Sequence, residues 1–314
     1  MPKELENIRY HDMWDNFDPD EYFLPLIEGI DTLQDHGLEE LGIDIELHSV
    51  FKKKERSLLG RLKEKASRVV VNSSGRVNPS RPAFRLWYTA ENKRPATGRF
   101  HAMLSFDKTD LNRDNFRFPH WWLLFPELVG GPPMGQDIRR LGVQISLDEA
   151  LNGRSISDEP RDKFACGFFG RMWFPRRDIV NALGAVGQVD VYGPGSGKPV
   201  TTKIEVATQY RYMLCPENDL YPGYITEKAV EAWATGAIPI YWGNDAYSDL
   251  NPDAVINLAT FDSLDELVEK VRDLEDNPDK AATMRALPIL TKAPDISGVR
   301  SFIDSRLQRF LEQL

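Results

Sequence analysis

YMLCPENDLYPGYITEKAVEAWATGAIPIYWG, residues 212–243, is the stretch from which the fold can be predicted. A short apolar run, Tyr212–Cys215, is followed by a polar turn rich in Pro, Asn, Asp and Gly. Thr226 then begins a helical pattern that ends at Gly236, and Ala237–Trp242 is a second apolar run. A strand, a loop, a helix and a strand make one βαβ unit, so this stretch predicts a parallel sheet.

Charged residues at the start of the predicted helix indicate a binding site. Thr226 is the predicted N-cap, which places Glu227 and Lys228 in the first turn. A lysine is unfavourable there because the N-terminus of a helix is already positive. The combination is typical of a phosphate site, where backbone N–H groups and an ammonium bind one anion. A solvated Glu-Lys pair on an ordinary helix is the alternative.

The composition suits a globular protein with one large or two medium domains. The chain has 314 residues, of which 41% are hydrophobic and 28% charged. A net charge of −9 argues against a nucleic-acid-binding surface. Cys166 and Cys215 lie in apolar runs, which predicts buried thiols and neither a disulfide framework nor a metal-ligand spacing. The nearest carboxylate pairs are also not in a D-x-D setting at a strand end, so we expect no metal and no required cofactor.

The N-terminus and one basic segment bear on membrane association. Residues 1–17 are polar, and no run of about 18 apolar residues occurs, so we expect no secretion signal and no transmembrane anchor, and a cytoplasmic location. Lys52–Arg68 is basic, with leucines at helical spacing. Such a pattern is typical of an amphipathic surface helix. The alternative is a patch that contacts an anionic membrane surface peripherally, at the inner face of the membrane.

The strands and helices of the chain predict two α/β domains. Lys163–Gly170, Arg176–Leu183 and Val189–Tyr192 form a second strand–helix–strand pattern in the C-terminal half. We place the domains at residues 1–155 and 156–314, because the segment near 155 is polar and rich in turn formers. The last predicted helix, Val299–Leu314, is a candidate to pack back on the first domain.

Two blocks of sequence resemble one family of enzymes. PEN-x5-YITEK-x7-G-x-IPIYWG is similar to the segment that binds the donor in the α-1,3/4-fucosyltransferases, glycosyltransferase family 10. The block from Phe84 to Trp122 resembles the same family in its Glu91-Asn92 turn and its Arg-x-Pro element. Pro216 and Ala90 depart from the family, where an aromatic residue and a glycine are common. The resemblance implies the GT-B architecture, two Rossmann-like α/β domains facing a central cleft.

The resemblance also implies an activity. Family members transfer L-fucose from GDP-fucose, with inversion, to a hydroxyl of an acceptor glycan in α-1,3 or α-1,4 linkage. The expected partners are GDP-fucose and either an N-acetyllactosamine or Lewis-type glycan or a bacterial surface polysaccharide such as an O-antigen. This chemistry needs a base for the hydroxyl proton, positive charge for the departing diphosphate and a pocket that excludes water.

The resemblance assigns these tasks to residues of both halves. Glu91 matches the family's proposed base, with Asn92 beside it as an acceptor-side candidate. Asp190 is either a residue that holds the loop near the base or a polar residue at a strand end. Arg176 and Lys228 match the cations on the diphosphate, and Arg177 takes the place of Arg176 if the alignment slips by one residue.

Other residues of the quoted stretch complete the predicted donor site. Glu227 is expected to accept hydrogen bonds from ribose or sugar hydroxyls. Asn218 is expected to bind phosphate or ribose, and Tyr224 to pack on the donor. Glu217 either touches the fucose or caps the turn. Three alternative functions stay open: a transferase for another nucleotide sugar, a non-catalytic protein that binds nucleotide sugars or glycans, and an interaction scaffold.

Overall fold

A computed structural model describes residues 7–13, 18–50, 81–94, 99–109, 113–125, 145–155, 160–194, 196–198, 200 and 202–314. These residues fold into two compact units. The described residues of 1–105, 109–116 and 297–314 belong to unit 1, and those of 106–108 and 117–296 to unit 2. The predicted basic helix Lys52–Arg68 lies outside the described residues.

Unit 1 is built on a five-stranded sheet in the order β1-β2-β3-β4-β5. The strands are β1 (Ile8–His11), β2 (Asp44–His48), β3 (Ala83–Tyr88), β4 (Ala102–Ser105) and β5 (Asn115–Arg117). The pairs from β1 to β4 are parallel. Three helices connect β1 to β2: α1 (Pro19–Glu28), α2 (Asp31–Asp35) and α3 (Leu38–Leu41). The carboxyl ends of β1, β2 and β3 therefore lie along one edge of the sheet.

The residues at the N-terminus of helix α1 explain why a helix begins there. The Asp18 side chain accepts a hydrogen bond from the Asp20 backbone N–H, and Pro19 occupies the first turn. Both are typical of a helix start, because the first N–H groups have no partner within the helix. Phe23, Leu26 and Ile27 are then buried on one face of the helix. Burial of each such side chain contributes about 1.5–3 kcal/mol.

Unit 2 is a second α/β unit with a five-stranded sheet. Its elements are α4 (Leu147–Asn152), β6 (Lys163–Phe168), α5 (Arg176–Leu183), β7 (Val189–Tyr192), α6 (Lys203–Ala207), β8 (Tyr210–Pro216), α7 (Lys228–Ala234), β9 (Ile238–Trp242), β10 (Ile256–Asn257), α8 (Leu264–Asp276) and α9 (Pro278–Ala286). Two 3-10 segments, His120–Leu124 and Leu258–Thr260, complete it. The predicted βαβ unit corresponds to β8, α7 and β9.

The sheet of unit 2 is parallel throughout, in the order β10-β9-β8-β6-β7. Its strands are nearly continuous apolar runs, as expected of a parallel sheet that is covered on both faces. The hydrophobic core joins β6, β8 and β9 to the inner faces of α5 and α8, with Ile179, Leu183, Leu267 and Val271 fully buried. Cys166 and Cys215 are buried free thiols, as predicted. Two parallel sheets thus confirm the α/β fold class.

The C-terminal helix α10 (Ile296–Leu311) packs within unit 1. Val299, Ile303 and Leu307 are buried along its inner face. The Phe310 ring lies 5.8 Å from the Phe84 ring of β3, measured between centroids. The end of the chain therefore stabilises the sheet of unit 1.

The division between the units differs from the boundary that we expected near residue 155. Residues 117–125 and 145–155 group with unit 2. The physical reason is a set of contacts that the sequence pattern does not show. The Arg117 guanidinium pairs with both carboxylate oxygens of buried Asp249, and the Leu290 N–H donates to the Ala150 carbonyl at 2.9 Å.

The helices that the structure describes include none with the length and apolar character needed to span a membrane.

Candidate functional site

The predicted donor residues follow two neighbouring strands of unit 2. Strand β6 pairs with β7 on one side and with β8 on the other, so the connections diverge between β6 and β8. Open parallel sheets bind ligands at such a switch point, in the crevice outside the carboxyl ends of the strands. Arg176 follows β6 and begins α5, whereas Asn218 and Lys228 follow β8.

Arg176 bridges this switch point. Its Nη2 donates to the Asn218 side-chain oxygen at 2.6 Å, and its Nη1 donates to the Arg171 carbonyl at 3.0 Å. Burial lowers the pKa of Arg176, against the opposing effect of Glu217, but a guanidinium stays charged in proteins. Arg177 has a side chain 70% exposed, and its Nε lies 3.7 Å from the Asp178 carboxylate. The structure thus brings Arg176, and not Arg177, to Asn218.

A buried carboxylate, Glu217, organises the loop after β8. The Thr226 N–H donates to its Oε1 at 2.7 Å, and the Thr226 hydroxyl lies 3.0 and 2.8 Å from its two oxygens. The Tyr241 hydroxyl donates to Oε1 at 3.3 Å, and Lys228 Nζ donates to Oε2 at 2.9 Å. Glu217 is 1% exposed. Of its two predicted roles, these contacts favour capping of the turn.

Lys228 stays positive in this arrangement. Burial alone would lower the pKa of its ammonium, but the carboxylates of Glu217 and Glu227 outweigh burial and raise that pKa well above its usual range. Lys228 Nζ also donates to the Thr226 hydroxyl at 2.7 Å. An ammonium has three N–H donors, and these two hydrogen bonds leave one for a ligand.

The helix start differs from the prediction. Helix α7 begins at Lys228, with Glu227 as N-cap, and the Thr226 side chain turns to Glu217. Thr226 is therefore not the N-cap. The Thr226 hydroxyl donates to the buried Glu217 carboxylate, and this bond to a charged group is stronger than the one an N-cap hydroxyl would accept from a helix N–H.

Glu227 is held as a carboxylate by Lys228 and by two further residues, His120 and Lys203, that the sequence pattern did not indicate. His120 Nε2 lies 3.5 Å from Glu227 Oε2, and Lys228 Nζ lies 3.9 Å from Oε1. Burial opposes ionisation of Glu227, but Lys228, His120 and Lys203 outweigh it and lower the pKa of the carboxyl. His120 follows Arg117-Phe118-Pro119, a block that resembles the family, and this proximity is the only signal that could have suggested it.

Tyr224 and Asp190, two of the predicted site residues, contact other residues of unit 2 and support its fold. Tyr224 is 1% exposed, and its ring packs edge-on against Phe106 with centroids 5.0 Å apart. It therefore supports the loop from within and has no face open for a donor. Asp190 lies within β7, where the Tyr210 hydroxyl donates to it at 2.8 Å and Gln188 Nε2 donates at 3.0 Å. These contacts favour its description as a polar residue of the strand.

Exposed aromatic side chains flank Arg176. Trp173 and Phe174 are 66% and 73% exposed, and the Phe174 ring lies 5.7 Å from that of Trp242. Their loop follows β6, and Trp242 ends β9, so all three lie at the carboxyl edge of the sheet. Aromatic faces of this kind pack on sugar rings or nucleotide bases.

A cavity of about 540 Å³ opens at the same edge, beyond β9 and β10. Leu220 of the loop after β8 lines it, together with Gly243, Asn244 and Asn257. None of the predicted donor residues lines this cavity. Within the described residues it is therefore a neighbour of the predicted donor site and separate from it.

The predicted base lies in unit 1, in the turn after β3. The Glu91 N–H donates to the Thr89 hydroxyl at 3.0 Å, and that hydroxyl donates to the Glu91 carbonyl at 2.7 Å. These bonds fix the backbone of the turn. The Glu91 side chain is half-exposed and, within the part of the chain that the structure describes, its carboxylate makes no hydrogen bond or ion pair. Asn92 is adjacent and accepts a hydrogen bond from Arg94.

Comparisons with known proteins relate the segment that carries these residues to one family. Residues 161–283 match the family described as glycosyltransferase family 10 (fucosyltransferase), C-terminal. An alpha-(1,3)-fucosyltransferase of Helicobacter pylori is 28% identical over 209 residues, which cover 60% of this chain and 44% of the relative. A human 3-galactosyl-N-acetylglucosaminide 4-alpha-L-fucosyltransferase is 38% identical over 97 residues, covering 28% of this chain and 26% of the relative. The match thus spans less than half the length of these relatives.

The fold matches over nearly the whole chain. A crystal structure of an alpha1,3-fucosyltransferase with GDP-fucose superposes with a TM-score of 0.64 at 19% identity, covering 96% of this chain and 90% of the other. At this identity the likeness establishes the fold, which is that of the GT-B fucosyltransferases. The residues described above as the donor site lie inside the segment that matches the family, whereas Glu91 lies before it.

Proposed function

We propose that the chain, whose residues 161–283 match the C-terminal model of glycosyltransferase family 10, transfers L-fucose from GDP-fucose to a hydroxyl of an acceptor glycan, with inversion. The product is an α-1,3 or α-1,4 linkage. The proposed acceptors are an N-acetyllactosamine or Lewis-type glycan and a bacterial surface polysaccharide.

One observation supports this proposal most. The Arg176 guanidinium contacts Asn218 across the switch point of the parallel sheet, and Lys228 is held by Glu217 in the same loop. Two cations thus lie at the sheet edge where such folds bind nucleotides. A guanidinium and an ammonium can stabilise the charge that develops on a departing diphosphate.

The proposed reaction has one bond-forming and one bond-breaking event. The acceptor oxygen attacks the anomeric carbon of fucose, and the bond from that carbon to the β-phosphate oxygen of GDP breaks. Glu91 takes the proton of the acceptor hydroxyl, since its carboxylate has no partner among the described residues. Arg176 and Lys228 bind the GDP that leaves, with the remaining Lys228 N–H directed to a phosphate oxygen.

Glu227 has a separate role in this proposal. Its carboxylate is ionised because of Lys228, His120 and Lys203, and an ionised carboxylate is an acceptor only. Ribose and fucose both present hydroxyl donors. Glu227 therefore orients the donor, and His120 positions Glu227.

The proposal is tested by measuring GDP release from GDP-fucose with and without lactose or N-acetyllactosamine. Acceptor-dependent release is expected, and a thermal-shift panel should show stabilisation by GDP and none by UDP or CMP. Lys228→Met should weaken GDP binding by about 1.5–3 kcal/mol, the scale of a hydrogen bond to a charged group. Lys198→Met serves as the control, because this lysine is 62% exposed and lies near Asp190.

Each alternative gives a different result. Tight GDP-fucose binding without turnover on any acceptor would indicate a binding protein. A response to UDP in place of GDP would indicate a transferase for another nucleotide sugar. Unchanged GDP affinity in Lys228→Met would remove Lys228 from the donor site.

A further inference from the structure

Three side chains that the transferase chemistry does not use converge at one edge of unit 1. They are His11 at the end of β1 and Glu46 and His48 of β2. Each offers one ligand atom, and the three atoms lie within 4.8 Å of one another. From this cluster we propose that unit 1 binds one divalent transition-metal ion, with Zn²⁺ as the type case, through His11, Glu46 and His48.

The sheet geometry brings these residues together. Glu46 and His48 are two apart on β2, so their side chains lie on the same face. The parallel register of β1 and β2 places His11 beside His48 and Arg9 beside Glu46. The two histidines and the carboxylate thus lie together on adjacent strands, and no loop is needed to bring them together.

The distances fit a small coordination sphere. His48 Nε2 lies 3.4 Å from Glu46 Oε2, and His11 Nε2 lies 4.0 Å from Glu46 Oε1. Metal–ligand bonds of about 2.0–2.1 Å in a tetrahedral site separate neighbouring ligand atoms by about 3.4 Å. His48 and Glu46 have this separation, and His11 needs a small approach to the other oxygen of Glu46. The ligand atoms of the two histidines lie within 4.8 Å of each other, so this third pair must also close slightly.

The chemistry of the group fits the same class of ion. His11 Nε2 is buried and has no hydrogen-bond partner among the described residues, so a lone pair on this nitrogen is free for a ligand bond. Two imidazoles and a carboxylate are typical ligands of Zn²⁺ and related ions, whereas Ca²⁺ and Mg²⁺ prefer oxygen ligands alone. Three protein ligands leave a fourth position for water.

Two features of the cluster affect how it binds a metal ion. The imidazole rings of His11 and His48 stack with centroids 4.4 Å apart at an angle of 15°, so ligation by both requires one ring to turn. The His11 side chain is 37% exposed, which gives it room to do so. Arg9 Nη1 lies 3.9 Å from Glu46 Oε1, but Arg9 also pairs with Asp44, which keeps its charge compensated.

Metal binding at this cluster should stabilise the pairing of β1 with β2, an effect that is independent of the transferase activity. β1 is the edge strand of the sheet and pairs with β2 alone among the described strands. A bound ion would join β1 to β2 and stabilise unit 1 by an amount that grows with the logarithm of the ion concentration above the Kd.

The test uses the full, untagged chain, stripped with a chelator and titrated with Zn²⁺ by calorimetry. One ion per chain and an increase in melting temperature are expected, with Mg²⁺ and Ca²⁺ inactive. His11→Ala, His48→Ala and the isosteric Glu46→Gln should each weaken binding by at least the 10–100-fold typical of lost supporting partners. His36→Ala is the matched control, because His36 is exposed and, within the described part of the chain, pairs only with Glu40, at 3.1 Å.

A second measurement avoids variants that fail to fold. Zn²⁺ should protect His11 and His48 of the wild-type chain from acylation by diethylpyrocarbonate, read by mass spectrometry, and leave His36 reactive. The proposal is overturned by equal modification with and without Zn²⁺. It is also overturned by undiminished Zn²⁺ affinity in the folded Glu46→Gln variant.

Discussion

Removal of the Glu217 charge should destabilise unit 2 unless the Lys228 charge is removed with it. Glu217 is fully buried as a side chain, and Lys228 is 22% exposed. In Glu217→Ala the Lys228 ammonium and the Thr226 N–H lose their acceptor. Breaking a buried ion pair by removing one partner costs about 3–5 kcal/mol. Glu227, 3.9 Å from the ammonium, compensates only part of the remaining charge.

The double variant separates this charge effect from lost packing. Replacing both members of a buried pair by groups of similar shape is often nearly neutral. Glu217→Gln should therefore destabilise the fold markedly, whereas Glu217→Gln combined with Lys228→Met should recover most of the loss. GDP binding should stay weak in the double variant, since it lacks the ammonium.

The assay is urea unfolding at equilibrium, followed by circular dichroism. Glu275→Gln is the control, because Glu275 pairs with Arg211 at 2.6 Å but both side chains are about a quarter to a third exposed. Such partly exposed pairs contribute about 0–1 kcal/mol. A Glu217→Gln loss as small as that of Glu275→Gln would refute the reasoning, and so would additive losses in the double variant.

The remaining predictions concern single residues of unit 2. Arg176→Lys should weaken GDP binding measured by calorimetry, because a lysine cannot contact Asn218 and two phosphate oxygens at once. Arg177→Lys should leave GDP binding unchanged. Equal effects of the two substitutions would contradict the assignment of Arg176 to the diphosphate. Because the pKa of Glu227 is lowered in the fold, its stabilising contribution should be complete above the ordinary glutamate value of about 4.3 and decline as the pH falls below it. The difference in unfolding free energy between wild type and Glu227→Gln, measured from pH 3 to pH 7, checks this, and a decline that begins near neutral pH would contradict it. Asp249→Ala leaves Arg117 without its buried partner and should destabilise unit 2 by about 3–5 kcal/mol in urea unfolding, and a loss below about 1 kcal/mol would contradict the structural role of this pair.

Local patterns predicted the elements of unit 2 that carry the site. The periodicity of residues 212–243 gave β8, α7 and β9 to within a few residues, because the glycine at 236 and the apolar runs mark their ends. Short helices such as α6 and α9 were not predicted. The α9 sequence has little amphipathic character, since three alanines and one threonine make up four of its nine residues.

Long-range contacts limited what the sequence could show of the site. The role of Glu217 depends on Tyr241, which reaches it from the next strand, and the charge of Glu227 depends on His120 in a distant segment. Neither contact leaves a periodic signal. The unit boundary near 117 likewise depends on the pairing of Arg117 with Asp249. Arg176 and Arg177 are adjacent in sequence, and only the phase of α5 separates them.

The central claim is that Glu91 acts as the base while Arg176 and Lys228 bind the diphosphate. The most direct measurement compares kcat with GDP-fucose affinity in Glu91→Gln. The account predicts that kcat falls by about 10²–10⁴-fold, the contribution of a general base, while the Kd for GDP-fucose is unchanged. Wild-type turnover in Glu91→Gln, or a loss of donor affinity that accounts for the whole loss of rate, would contradict it.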